Sequence, residues 1–258
     1  MAPGKVVREY KLRSEVSGPY VVEIVSGAVA EVELVTMTDA PASSMATAAR
    51  GYSGTYSSAP MDKEEGLEYL KDVRKTKLAT PTEMVHFLWL ITGVTRAWTH
   101  QAVRYRVGTA FIQQSMRFLG YQGVYRVLCP LKDQKNEEFD IYCTSASRAI
   151  QAYVDMKDRG VADQDARGVL PTNILTALFW DMSLSTLMHV YESRMCCQAQ
   201  GDEWLPILTQ MREEITMKAV YLRSFLTAPI DRGEDCGFHA SFDRPCVWKN
   251  RAEREREL

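Results

Sequence analysis

The chain carries no GxGxxG turn after a strand-like segment and no GxxxxGK[ST] loop. These absences argue against a Rossmann helix or a P-loop as the means of holding a nucleotide. No run approaches the ~18 apolar residues of a membrane span, and the start, Met1-Ala2-Pro3-Gly4-Lys5, lacks the apolar core of a signal peptide. The formal net charge is −2, so no global basic field draws in nucleic acid, and any anion site must be local. None of the six cysteines (Cys129, Cys143, Cys196, Cys197, Cys236, Cys246) forms a CxxC pair. Cys236, His239 and Cys246 leave two readings open, a structural zinc lacking an evident fourth ligand and small buried thiols. The second is the expectation, and no metal is assigned. A cytoplasmic protein without disulfides is expected, with neither membrane nor nucleic acid as partner.

What is present suits an enzyme-sized chain. Its 258 residues are 46% hydrophobic, enough for one sizeable core or a core with a small appendage. Valine alternates with polar residues over Tyr20 to Val25 and again over Val32 to Val35, with Ser26-Gly27 between, predicting two strands joined as a hairpin. Residues 39–60 are rich in Ala, Ser, Gly and Thr and are expected to hold one short helix, Met45 to Arg50, and then a loop. Leu67, Leu70 and Val73 place a helix over Asp62 to Lys77. Thr80-Pro81-Thr82-Glu83 reads as a helix start, with Thr80 as cap, Pro81 at the first position and Glu83 closing a capping box.

Phe87 to Val94 reads as an apolar strand and Arg96 to Arg104 as a short helix. Phe139, Tyr142, Cys143, Ala146, Ile150 and Tyr153 keep helical spacing up to a stop at Gly160. Thr172 to Trp180 looks extended. Leu184, Met188, Tyr191 and Met195 then form a helical stripe, and a further helix carries Leu208, Met211, Ile215 and Leu222. Strands and helices without regular βαβ alternation predict an α+β fold, a mixed or antiparallel sheet flanked by helices. Residues 1–248 are expected to form a single catalytic domain, and the charged tail 249–258 to be disordered.

The stretch from Thr95 to Phe118 carries most of the chemistry. Arg104 and Arg106 stand one residue apart, and Arg117 follows Gln114-Ser115. Arginine's planar fork of donors grips phosphate at two points. A solvated basic face is the bland alternative.

Arg104-Tyr105-Arg106, eight residues, Ser115 and then Arg117 resembles the signature of the flavin-dependent thymidylate synthases. Two further blocks are similar in the same order: Thr80-Pro81-Thr82-Glu83 upstream, and Arg167-Gly168-Val169-Leu170-Pro171 downstream, with Arg194 beyond it. The resemblance covers roughly residues 45 to 215. It implies FAD- and methylenetetrahydrofolate-dependent C5-methylation of a uridine monophosphate, dUMP most simply, with NADPH as reductant. It also implies a homotetramer with shared active sites. A close alternative is the same chemistry on UMP in nucleoside-antibiotic pathways. An alternative of another class is a non-catalytic flavin- or nucleotide-binding protein.

Residue by residue, the resemblance places Arg194 against the uracil, as the catalytic group countering charge on the ring. Gln114, Ser115 and Arg117 fall to the nucleotide phosphate, and Gln101, Arg104 and Arg167 to positioning the nucleotide. Ser53, Thr80, Glu83, Arg104, Tyr105, Arg106, His189 and Gln198 fall to the flavin. The bland readings stay beside these roles: for Arg194 an ion pair in the Glu192 neighbourhood, for Arg167 one with Asp163 or Asp165, and for His189 a satisfied core histidine. Departures from the family pattern fall mostly on the flavin side. Tyr105 and Gln198 stand where histidine is usual, Leu78 where it is frequent, and Ser183 and Ser185 replace an Asn-x-Arg pair. No cysteine sits in a nucleophile context, so attack by the polarised ring itself is implied.

Overall fold

The two valine-alternating segments both form strands, but not with each other. A computed structural model describes residues 4–14, 16, 19–75, 78–117, 123–196 and 203–234. Its elements run β1 (Lys5–Leu12), β2 (Tyr20–Ser26), β3 (Glu31–Met37), α1 (Pro41–Ala49), α2 (Lys63–Lys75), β4 (His86–Thr95), α3 (Arg96–Ala102), β5 (Thr109–Gln113), β6 (Val124–Leu128), α4 (Glu137–Asp158), α5 (Asp163–Ala166), β7 (Leu175–Ser183), α6 (Leu184–Arg194) and α7 (Trp204–Lys218). Short 3₁₀ turns cover Arg50–Ser53, Thr80–Met84, Arg167–Val169, Val220–Phe225 and Pro229–Arg232.

β2 joins a three-stranded sheet of order β1-β2-β6, antiparallel to β1 and parallel to β6, whereas β3 joins a four-stranded antiparallel sheet of order β3-β4-β7-β5. The predicted hairpin is therefore absent. Gly27, at φ 91°, turns the chain from one sheet to the other. β3 pairs instead with the ten-residue apolar strand β4, whose Phe87, Trp89 and Ile91 are fully buried. The α+β class holds: helices and mixed sheets are interspersed without βαβ order.

Each sheet has its own core. The four-stranded sheet packs Trp89, Trp180 and Met182 against Trp98, Leu187, Tyr191, Trp204 and Leu208. The smaller sheet packs Val22, Ile24, Tyr125 and Val127 against Phe139, Cys143, Ile150 and Tyr153 of α4. The sheets meet where Val127 bridges Ile174 and Leu128 N–H donates to Asn173 O (3.0 Å). Cys129 and Cys143 lie in the second core, where burial pushes both thiols up, Cys143 to about 11. Thiols so protonated are poor nucleophiles near neutral pH.

The segment at Thr80 forms one 3₁₀ turn, not a capped α-helix. Ala79 stands at its start without a side-chain cap, and Thr82 Oγ1 donates back to Ala79 O (2.6 Å). α4 ends where expected, with Gly160 at φ 81° donating to Lys157 O. α7 stops at Lys218, and Leu222 belongs to the 3₁₀ turn beyond it. Among the described residues no helix is long and apolar enough to cross a membrane, and no cluster of His, Cys, Asp or Glu suits a metal. Cys236, His239, Cys246 and the tail 249–258 lie outside the described residues.

Candidate active site

Two strands hand over directly to helices, and both junctions are capped by the side chain at the turn. Thr95, at the end of β4, accepts from Trp98 N (2.9 Å) and starts α3; Ser183, at the end of β7, accepts from Thr186 N (3.2 Å) and starts α6. The arginine block lies between these helices and is pinned to α6 at both ends. Near the start of α6, Thr186 Oγ1 donates to Val107 O (2.5 Å) and Ser183 N to Gly108 O (2.8 Å). Gly108 is required there, because its φ is +60° and a Cβ would come within 2.7 Å of Ser183 Oγ. Ser183, a departure from the family pattern, is thus a helix cap.

At the other end of α6, Arg194 turns inward. Its Nε donates to the Tyr105 hydroxyl (2.8 Å) and its Nη1 to Gln101 Oε1 (3.2 Å). The guanidinium lies 5.0 Å from the ring centre of Trp204 and 5.7 Å from that of Tyr105. Trp204 Nε1 also donates to Gln101 Oε1 (3.0 Å), so one amide oxygen serves both groups. The ion pair expected near Glu192 goes elsewhere, since Glu192 meets Arg232 at 2.8 Å. No carboxylate pairs with Arg194 among the described residues.

Beside this cluster a cavity of about 360 Å³ is lined by Arg104, Tyr105, Arg106, Val107, Ser185, Thr186 and His189. Arg104 and Arg106 are exposed and in no salt bridge among the described residues. His189 is exposed rather than a core histidine, and its ring meets Tyr105 edge-on at 5.6 Å. Two arginines outside any described salt bridge, an aromatic wall and the Ser185 hydroxyl make a donor set that fits an anionic, ring-bearing group such as a flavin nucleotide.

The remaining sequence-predicted residues are spread more widely. Gln114 follows edge strand β5; its Oε1 accepts from Thr176 Oγ1 (3.4 Å) and its backbone oxygen from Arg96 (3.3 Å). Ser115 Oγ accepts from Arg117 N (3.3 Å) in the next turn, and the Arg117 side chain is exposed. Thr80 and Glu83 are exposed on the 3₁₀ turn that packs against α1 and α6. Ser53 is exposed and donates to Arg50 O (2.9 Å).

Arg167 lies at the α4 side of the smaller core and is exposed, its Nε on Gln164 O (3.3 Å). Its expected rival partner Asp163 is taken by Lys157 at 2.6 Å, which holds that carboxyl below its usual range. Gln198 lies outside the described residues. The structure thus brings Gln101, Arg104, Tyr105, Arg106, His189 and Arg194 together. It leaves Arg117, Arg167, Ser53, Thr80 and Glu83 facing solvent, outside that cluster.

Sequence reasoning missed Trp204, Ser193 and Glu203. Glu203 is 1% exposed and accepts from both Thr95 N (2.6 Å) and Thr95 Oγ1 (2.8 Å), tying the start of α7 to the start of α3. A tryptophan directly after an acid at the head of an apolar helical stripe was the available signal.

The profile of the family described as thymidylate synthase complementing protein matches residues 33–219. A flavin-dependent thymidylate synthase of Nitratidesulfovibrio vulgaris is 31% identical over 153 residues, 56% of this chain and 62% of that protein. One from Sulfurisphaera tokodaii is 29% identical over 204 residues, 79% and 75% of the two chains. Another from Pyrococcus abyssi is 30% identical over 140 residues, 53% and 57%. The chain thus spans between about half and three quarters of the length of these relatives. The family match takes in β3 to α7, including the whole cluster around Arg194, and by it the chain belongs to the flavin-dependent thymidylate synthase family.

Proposed function

We propose that the protein catalyses FAD-dependent reductive methylation of a uridine monophosphate at C5, dUMP to dTMP, with methylenetetrahydrofolate as methylene donor and NADPH as reductant. The observation that carries this reading is Arg194. In a chain of this family, an arginine that meets no carboxylate among the described residues is held on Trp204 by Tyr105 and Gln101. It stands beside a cavity edged by Arg104 and Arg106.

Methylation at C5 needs negative charge to build on the uracil ring as the carbon attacks the methylene group. Of Arg194's five N–H donors, two are engaged among the described residues. The others are left for the uracil edge, where a fixed cation stabilises charge that appears only in the transition state. Ser115, Arg117 and Gln114 hold the nucleotide phosphate, and Gln101, Arg104 and Arg167 orient the nucleotide. Arg104, Arg106, Tyr105 and His189 hold the flavin, with Ser53, Thr80, Glu83 and Gln198 around it. The chemistry that FAD would supply when bound and reduced is the hydride that completes the methyl group. Residues 1–248 act as one catalytic unit in the cytoplasm.

To test this, protein loaded with excess FAD and desalted is given NADPH, methylenetetrahydrofolate and either dUMP or UMP. Retained flavin absorbance and methylated dUMP are expected. Colourless protein at every FAD concentration defeats the flavin assignment, and flavin-loaded protein that methylates neither nucleotide defeats the reaction.

The site is shared between subunits of a homotetramer. Two features support this. Arg117 and Arg167 face solvent on elements other than the one carrying Arg194. In addition, the outer face of the larger sheet presents Ile112 (73% exposed) in register with Phe179 (39%) and Leu90, an apolar stripe suited to a second copy. Arg117→Ala and Arg194→Ala should each be inactive alone. After co-refolding, random pairing leaves roughly a quarter of shared sites with both arginines intact, so activity returns. Silence in a mixture with demonstrated subunit exchange places the whole site in one chain.

A further inference from the structure

We propose that the Tyr105 hydroxyl is a positioning group for Arg194, setting the direction in which the guanidinium faces the nucleotide. This rests on the reaction proposed above and assigns Tyr105 a task distinct from stacking on a flavin.

Three hydrogen bonds carry the inference. The Tyr105 oxygen accepts from Arg194 Nε at 2.8 Å. Ser193 Oγ lies 2.7 Å from the same hydroxyl, a pair in which either oxygen can donate, and 3.3 Å from Val190 O, one turn back in α6. With the phenol donating to Ser193 and Ser193 to Val190 O, every proton finds an acceptor. This chain of contacts runs from Arg194 through Tyr105 and Ser193 to Val190. It returns the guanidinium to the last turn of the helix that carries it.

The phenol is itself fixed. Its ring meets His189 edge-on at 5.6 Å and Trp204 edge-on at 6.2 Å, and lies 6.4 Å from Trp180. Trp204 and Gln101 close the other side of Arg194. Arginine side chains have many rotamers, and fixing one before the reaction removes reorganisation at the moment charge develops. Holding Nε and Nη1 from two elements fixes the guanidinium plane. α3 supplies Gln101, and the loop after it supplies Tyr105.

Tyr105→Phe separates this role from stacking, because it keeps the ring and removes the oxygen alone. With FAD-loaded protein, kcat for methylation should fall roughly tenfold, as for loss of one bond to a charged group, with the nucleotide KM within about twofold. Flavin retention and unfolding temperature should stay near wild type. Ser193→Ala, which frees the phenol proton, should give a smaller loss in the same direction. Tyr105→His, whose ring nitrogen can accept from Nε, should recover part of the loss.

A second readout does not depend on turnover. The Arg194 Nε–H resonance, identified by its absence in Arg194→Lys, should exchange slowly with water in the wild type and fast in Tyr105→Phe. Wild-type kcat in Tyr105→Phe, or an unchanged Nε–H exchange rate, overturns the proposal. Wild-type protein that methylates neither nucleotide defeats the reaction instead. The exchange comparison then still decides whether Tyr105 holds Arg194.

Discussion

Arg194→Ala is expected to abolish methylation while weakening nucleotide binding far less. In the reaction proposed above the guanidinium would meet charge that builds on the uracil ring as C5 attacks, so its loss should raise the barrier more than it alters ground-state affinity. Removing one such donor typically costs ~3 kcal/mol or more, about a hundredfold in kcat. Arg194→Lys should fail as well. A lysine ammonium cannot meet the Tyr105 hydroxyl and Gln101 Oε1 with a planar fork while lying on the Trp204 ring. The checking measurement pairs steady-state methylation by FAD-loaded variants with equilibrium titration of dUMP. Near-normal turnover in either variant removes Arg194 from the mechanism.

The sequence singles out Arg194 as a candidate, but not its surroundings. Its position beyond the Leu170-Pro171 block, with Arg104, Ser115 and Arg117 upstream, carried the family resemblance. Nothing in that order says that Tyr105, 89 residues earlier, lends its oxygen to Nε, or that Gln101, 93 residues earlier, takes Nη1. Those contacts arise because α3 and α6 both leave the same sheet through capped junctions, on adjacent antiparallel strands. A strand's place in a sheet is fixed by long-range pairing that local periodicity does not contain.

The same limit explains the fold. α4 was readable because Phe139, Cys143, Ala146 and Ile150 keep one face of a long helix, and β4 because Phe87 to Ile91 is a continuous apolar run. The five-residue strands β5 and β6 were not recognised. β5 is a half-exposed edge strand whose Thr-Ala-Phe-Ile-Gln sequence lacks clear alternation. The hairpin failed for a different reason. Two adjacent valine-rich strands suit each other locally, yet β4 offered β3 a longer apolar partner. At Thr80 the residues of a capping box are present. A single 3₁₀ turn with its cap at Ala79 leaves Thr80 and Glu83 exposed.

Glu203→Ala is expected to cost substantial stability. Glu203 is almost fully buried, and both its carboxylate oxygens accept from Thr95, one from the backbone N–H and one from the hydroxyl. Alanine would leave a buried N–H at the mouth of α3 without its acceptor and open a void beside Trp98 and Trp204. Hydrogen bonds to charged groups contribute about 1.5–3 kcal/mol each, so a loss of ~3 kcal/mol is expected. In a chain of this size that lowers the unfolding temperature by roughly 6–12 °C. Glu203→Gln keeps an acceptor for Thr95 N–H and gives up the charge, so its loss should be clearly smaller. The damage should also reach function: α3 carries Gln101, and Trp204 is the next residue after Glu203, so two of the three supports of Arg194 hang on this carboxylate. Thermal unfolding of the two variants beside the wild type checks the ranking. An alanine variant that melts within about 2 °C of wild type would show that the Glu203–Thr95 tie is dispensable, because a tie of the expected strength must shift the midpoint several times further.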